Sequence, residues 1–135
     1  MTTSEINILL GQTERSWEEV IANILAPRGI NSLVVRDAAE ALDVLSRRYV
    51  HTAIVDMDTQ RSGGFGLVKV VRKYHPLLPF IVFSGSSERK ELGLALEFNA
   101  FSVIAKPVDI GILQDELNRL FRKIYNSMVF SDVVN

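Results

Sequence analysis

Short apolar runs alternate with stretches of helical periodicity along nearly the whole of this chain. The runs are Ile6-Asn7-Ile8-Leu9-Leu10, Ser32-Leu33-Val34-Val35, Thr52-Ala53-Ile54-Val55, Phe80-Ile81-Val82-Phe83 and Ser102-Val103-Ile104-Ala105. Short, mostly continuous apolar segments are the mark of strands buried on both faces, because a strand with one wet face alternates instead. Between the first two runs, Trp17, Val20, Ile21, Ile24 and Leu25 recur at helical spacing until Pro27 and Gly29 stop the pattern. Asp37, with Glu40 three residues on, forms an N-terminal capping pair for a helix carrying Ala41, Leu42 and Leu45. Residues 58–64 are small and polar and read as a loop, followed by a helix with Leu67, Val68, Val70, Val71 and Tyr74 on its apolar face. After the turn at 75–79 and the fourth strand, a fourth helix is expected from about Ser86 through Phe98, and a last one from an Asp109 cap through Ile124. Five strands alternating with five helices specify an α/β fold, a doubly wound parallel sheet with right-handed crossovers.

Composition leaves little room for anything else. At 135 residues, the chain is expected to form one domain over 1–125 with a C-terminal tail over 126–135. Hydrophobic residues make up 47% and charged residues 23%, a globular balance rather than a disordered one. With 15 basic and 16 acidic residues dispersed along the chain, net charge is -1 and no electrostatic footprint for nucleic acid is visible. The absence of cysteine excludes a disulfide framework and thiolate metal sites. The start, Met1-Thr2-Thr3-Ser4-Glu5, lacks the basic and apolar stretches of a signal peptide, and no run approaches membrane-spanning length. A cytoplasmic protein without a membrane or nucleic-acid partner is the expectation.

Three of the strand-like runs end in residues suited to a phosphoryl group. The third runs into Asp56, the fourth into Ser84-Gly85 and the fifth into Lys106-Pro107. The carboxyl ends of parallel strands line one crevice, so a carboxylate, a hydroxyl and an ammonium are expected to converge there. An aspartate at a strand end often only caps a turn, and a lysine before proline is often a surface residue. Together, in this order and spacing, they resemble the receiver domain of two-component response regulators, of the CheY-like family, over about Ile6 to Ile124. The resemblance implies a flavodoxin-like sheet in the order 2-1-3-4-5, with Asp56 as phosphoacceptor and Ser84, Gly85 and Lys106 as phosphate contacts. It also implies a cis bond at Lys106-Pro107 and a signalling role rather than an enzymatic one.

The departures from that family pattern shape the functional expectation. Where receivers carry two acidic residues that hold magnesium at the end of the first strand, this chain has Gln12-Thr13. Magnesium wants octahedral oxygen ligands including one or two carboxylates. The acidic candidates left are Asp56, Asp58, whose plain alternative is an exposed loop residue, and Glu14, one position beyond the usual pair. Weak magnesium binding through Asp56 and Asp58 is the most these residues offer, and no other cofactor is expected. If metal assistance is worth roughly 3–5 kcal/mol, losing it slows transfer on the order of a hundred- to several thousand-fold. At the switch position three residues before the lysine, similar receivers have a rotating aromatic, whereas this chain has Val103, stiff about χ1. Gln60 replaces the usual loop proline.

These residues point to a degenerate, pseudo-receiver type of domain. It is expected to stand alone and to act as a phosphorylation-independent interaction module that signals by contact through the fourth helix, fifth strand and fifth helix, with room for a homodimer. The alternative is a working phosphorelay receiver phosphorylated on Asp56 by a histidine kinase. A flavodoxin-like enzyme or cofactor binder is disfavoured, because Gly11-Gln12-Thr13-Glu14 offers a single glycine after the first strand. Phe98, Phe101, Phe121 and Tyr125 read mostly as core, and Arg47-Arg48 and Arg89-Lys90 as solvated helix faces. His51 and His75 share no metal-ligand spacing and read as surface residues. The apolar tail residues Met128, Val129 and Phe130 leave open whether the tail frays or packs.

Overall fold

The computed structural model describes residues 5–11, 14–57, 63–85, 93 and 96–130, without the side chains of 63–65. Within them β1 (Ile6–Gly11), β2 (Ile30–Val35), β3 (Thr52–Asp56), β4 (Phe80–Ser84) and β5 (Ser102–Ala105) form one sheet. Its order is β2-β1-β3-β4-β5, and every neighbouring pair is parallel. The helices are α1 (Arg15–Leu25), α2 (Ala38–Arg47), α3 (Gly63–Tyr74) and α4 (Ile110–Tyr125), the last of these being the fifth of the sequence pattern. Gly93, Leu96 and Glu97 are helical, while most of the helix expected over 86–98, including Arg89 and Lys90, lies outside the described residues.

The strand pleat sorts the core into two layers, since successive side chains point to opposite faces. Ile8, Leu10, Ile54, Ile81, Phe83 and Ile104 face α1 and α4, where they meet Ile21, Leu25, Leu113, Leu117 and Phe121. Leu9, Ala53, Val55, Phe80 and Val82 face the other way, onto Ala41 of α2 and Leu67, Val68 and Val71 of α3. Burying a side chain of this size stabilises the fold by about 2 kcal/mol. Both layers together explain why β3 and β4 are apolar almost without interruption: every residue in them is buried. The edge strands β2 and β5 expose part of their length.

Local chemistry sets the boundaries. The side chains of Asp37 and Asp109 accept hydrogen bonds from the backbone N–H groups of Glu40 and Ile112, capping α2 and α4 as their sequence positions suggest. After Leu25 the chain tightens into a 3-10 turn, Ala26–Arg28, and leaves it through Gly29 at φ 73°, a left-handed conformation that glycine adopts without a Cβ penalty. Gly11 is a close-approach glycine, because a Cβ there would lie 3.0 Å from Cδ1 of Leu67. Two expectations shift. β2 begins at Ile30, before the apolar run, because the Asn31 side chain has a partner in Asn7 Oδ1 at 3.1 Å. α3 begins at Gly63, inside the predicted loop, since the first turn of a helix has unsatisfied N–H groups whatever residue stands there.

The chain turns back after α4. Asn126 is left-handed at φ 51°, and the Ser127 N–H donates to the Phe121 carbonyl at 2.9 Å. Arg28 then donates from Nη1 to the Val129 carbonyl at 3.2 Å, and its guanidinium lies 5.1 Å from the centre of the Phe130 ring. Phe130 is buried against Phe121. The tail therefore packs on the domain through residue 130.

Candidate functional site

At the carboxyl end of the sheet, β3, β4 and β5 deliver Asp56, Ser84 and Lys106 to one crevice. The Asp56 carboxylate follows a fully buried strand and is itself only 2% exposed. Its charge is met by the Lys106 ammonium, which donates to Oδ1 at 2.7 Å and lies 2.6 Å from Oδ2. Lys106 is anchored as well through its backbone, whose N–H donates to the Ser84 carbonyl at 3.0 Å, and the Lys106-Pro107 peptide is cis. On the other side, the Met57 N–H donates to the Phe83 carbonyl at 2.9 Å, tying the residue after Asp56 to β4. The Ser84 hydroxyl is the exception to this closure: its Oγ is buried and has no hydrogen-bond partner among the described residues. Leaving a buried hydroxyl unmatched costs about 1–3 kcal/mol, so such a group usually has a reason.

The crevice thus gathers Asp56, Ser84 and Lys106, with Gly85 exposed beside them. Gln12, Thr13, Asp58 and Gln60 lie outside the described residues. Glu14 stands at the N-cap of α1 with an exposed side chain, and its carbonyl accepts from Trp17 and Glu18 N–H groups at 3.0 Å. Val103 is half-buried and packs against the layer containing Val82. Among the described residues, no helix is long and apolar enough to cross a membrane.

One expectation is corrected at the opposite, amino end of the sheet. His51 is half-buried rather than fully at the surface. Its ring stacks on Phe121, lies beside Tyr49 and Tyr125, and accepts at Nδ1 from the Asn7 N–H at 3.3 Å. Burial pushes the imidazole below its usual 6.5. Tyr125 donates its hydroxyl to the His51 carbonyl, and burial pushes that phenol up. The position explains the miss: residue 51 immediately precedes a central strand, so packing from α4 reaches it, and only tertiary contact reveals that. Asn7 escaped notice as well. It is 2% exposed within an apolar run, and an amide in that setting was the available signal for a buried polar hub.

Residues 8–118 match the family model described as the response regulator receiver domain. The chain is 31% identical over 106 residues to a putative NtrX-like response regulator of Rickettsia felis, covering 77% of this chain and 22% of that protein. It is 25% identical over 120 residues to response regulator RR06 of Streptococcus pneumoniae, covering 89% of this chain and 55% of that one. The chain therefore spans about a fifth of the length of the NtrX-like relatives it matches. In structure it superimposes on the signal receiver domain of an HD domain-containing protein from Pseudomonas fluorescens with a TM-score of 0.79. That likeness covers 91% of this chain and 99% of the other at 22% identity, and speaks for the fold. By sequence match across most of its length and by its sheet order, this chain belongs to the response regulator receiver domain family.

Proposed function

We propose that this receiver domain signals as an interaction module whose contacts do not depend on phosphorylation of Asp56. The observation that carries the reading is the placement of Lys106 across both oxygens of a buried Asp56 carboxylate, at 2.7 and 2.6 Å. Phosphoryl transfer between anions needs positive charge on the transferring oxygens, supplied in most such sites by metal ions together with a cationic side chain. The donor set offers magnesium little beyond Asp56 and Asp58. Gln12 and Thr13 offer neutral oxygens, Glu14 is committed to the start of α1 with its side chain in solvent, and the Asp56 oxygens already face an ammonium. Val103, packed and β-branched, supplies no aromatic gate to carry a change at Ser84 along β5. With input and readout both weakened, the crevice holds one state, and partners are met by the face expected of residues 86–98 together with β5 and α4. Leu96 is 64% exposed on that side.

A second reading rests on Ser84. Its unmatched Oγ, 3% exposed as a residue, is the group that an arriving phosphoryl oxygen would satisfy. In that reading an Asp56 oxygen attacks the phosphorus of a phosphohistidine, the P–N bond breaks, and Lys106 moves onto the new phosphoryl oxygens. Incubation with a small phosphodonor, with and without millimolar magnesium, followed by intact-mass measurement separates the two. The proposed module stays unmodified or gains phosphate at a rate indifferent to magnesium. Magnesium-dependent gain of one phosphoryl group, lost in Asp56→Asn, would establish the second reading.

A further inference from the structure

The end of the sheet opposite the crevice carries an unassigned surface. Each helix of a doubly wound fold runs back toward the amino ends of the strands, so the C-terminal helix turns collect there. In this chain those turns bear Arg47 on α2, Arg72 and Lys73 on α3, and Arg122 and Lys123 on α4. β3 is five residues long, which places this end about 17 Å from Asp56. The turn entering β4 projects Leu77, which is 92% exposed, and a groove of about 410 Å³ lies on either side of it. One groove is lined by Tyr49 and Tyr74, with Arg48 at its edge. The other holds Arg119 and Lys123. Among the described residues, no carboxylate lines either groove.

Cations in last helical turns complement the helix dipole, and single exposed apolar residues are ordinary. The combination goes further than either. Tyr49 is 65% exposed and Tyr74 60%, so with Leu77 they form a continuous apolar ridge between cations. Arg47 pairs with Asp43, Arg48 with Glu5 and Arg119 with Glu116, whereas Lys73, Arg122 and Lys123 make no ion pair among the described residues. Arg72 is held by the carbonyls of Phe98, Pro76, Leu78 and Asn99 with no carboxylate among those four partners, so its charge is also uncompensated there. A chain of net charge -1 thus presents a locally positive, apolar end.

We propose that this end is a docking surface for an acidic amphipathic segment of a partner protein. Leucine or aromatic side chains of the segment enter the two grooves astride Leu77, and its carboxylates meet Lys73, whose ammonium lies 5.5 Å from the centre of the Tyr74 ring, on one side and Lys123 on the other. A second copy packing face to face would bring the same cations together, and a nucleic-acid backbone would meet an apolar knob at the centre of the patch. The surface lies apart from Asp56 and serves whichever state that residue is in.

Differential selection from a random peptide display library tests this, with the wild-type chain as target and the double variant Leu77→Asp, Lys123→Glu as counter-target. Both side chains are exposed, and a thermal melt confirms that the variant folds. The expected winners carry net negative charge with leucine or aromatic residues, and bind the double variant about tenfold or more weakly. Amide shifts on binding should centre on Tyr49, Tyr74 and Leu77, in wild type and Asp56→Asn alike. No discriminating peptide, winners that are basic, or shifts centred elsewhere would overturn the proposal. So would preferential binding of duplex DNA or of phosphatidylglycerol vesicles that the double variant loses, or self-association abolished by the same changes.

Discussion

At the amino end of the sheet the buried Asn7 amide is engaged on every side, whereas at the carboxyl end the equally buried Ser84 hydroxyl has no partner among the described residues. Asn7 donates from Nδ2 to the Tyr49 carbonyl at 2.8 Å and accepts at Oδ1 from Asn31 at 3.1 Å and Arg48 at 3.4 Å. Its backbone exchanges two further bonds with His51. Around Ser84, one ion pair between Asp56 and Lys106 is closed and one hydroxyl is left over. A saturated polar network fixes a structure, while an unsatisfied buried group stores free energy that only a ligand or a rearrangement can recover. The amino end is thus built for stability, and the carboxyl end retains the mark of a site.

The sharpest way to break that contrast is to remove its hub. Asn7→Ala strands the Tyr49 carbonyl and the Asn31 and Arg48 donors, and should cost about 2–3 kcal/mol in urea denaturation. A loss comparable to an ordinary surface change would deny the amino end its structural role. Lys106→Ala comes next, at about 2 kcal/mol, because it leaves the Asp56 carboxylate buried without its cation; Lys106 is part-exposed, which lets water recover some of the loss. Amide exchange at Met57 and Lys106 should quicken with it. Unchanged exchange would mean that the pair does not hold the loops.

Acid should weaken the amino end. Burial sets the folded His51 below its usual 6.5, so between the two values the unfolded chain binds more protons than the folded one. The stability linked to His51 is fully present above about 6.5 and is lost as pH falls through the depressed folded value. A His51→Phe variant should flatten the dependence of the urea midpoint on pH in that window, and an unaltered slope would assign it to other groups. Ser84→Ala should have the smallest effect, near zero or slightly stabilising, since it deletes an unmatched hydroxyl. A clear loss of stability would show that Ser84 has a partner after all.

Legibility followed the same divide. β1 and β3 to β5 could be read because continuous apolar runs mean strands covered on both faces, and the strand ends announced Asp56, Ser84 and Lys106 before any contact was known. The caps at Asp37 and Asp109 are local in sequence and were equally plain. What stayed hidden depends on contacts between distant residues. His51 packs against Phe121 and Tyr125 from α4, and Phe130 is buried against Phe121 where Arg28 also holds Val129 from about 100 positions away. Gly63 and Gly64 concealed the start of α3 because glycine argues against helix on propensity alone.

The central claim is that the domain signals without phosphate on Asp56, and Asp56→Asn in the native host tests it most directly. The change keeps the shape of the side chain and removes both its charge and its capacity to accept a phosphoryl group. With the variant shown to be folded and as abundant as wild type, the account predicts unchanged partner binding and an unchanged cellular response. A variant that is folded and abundant but silent would contradict it and make this chain a working phosphorelay receiver.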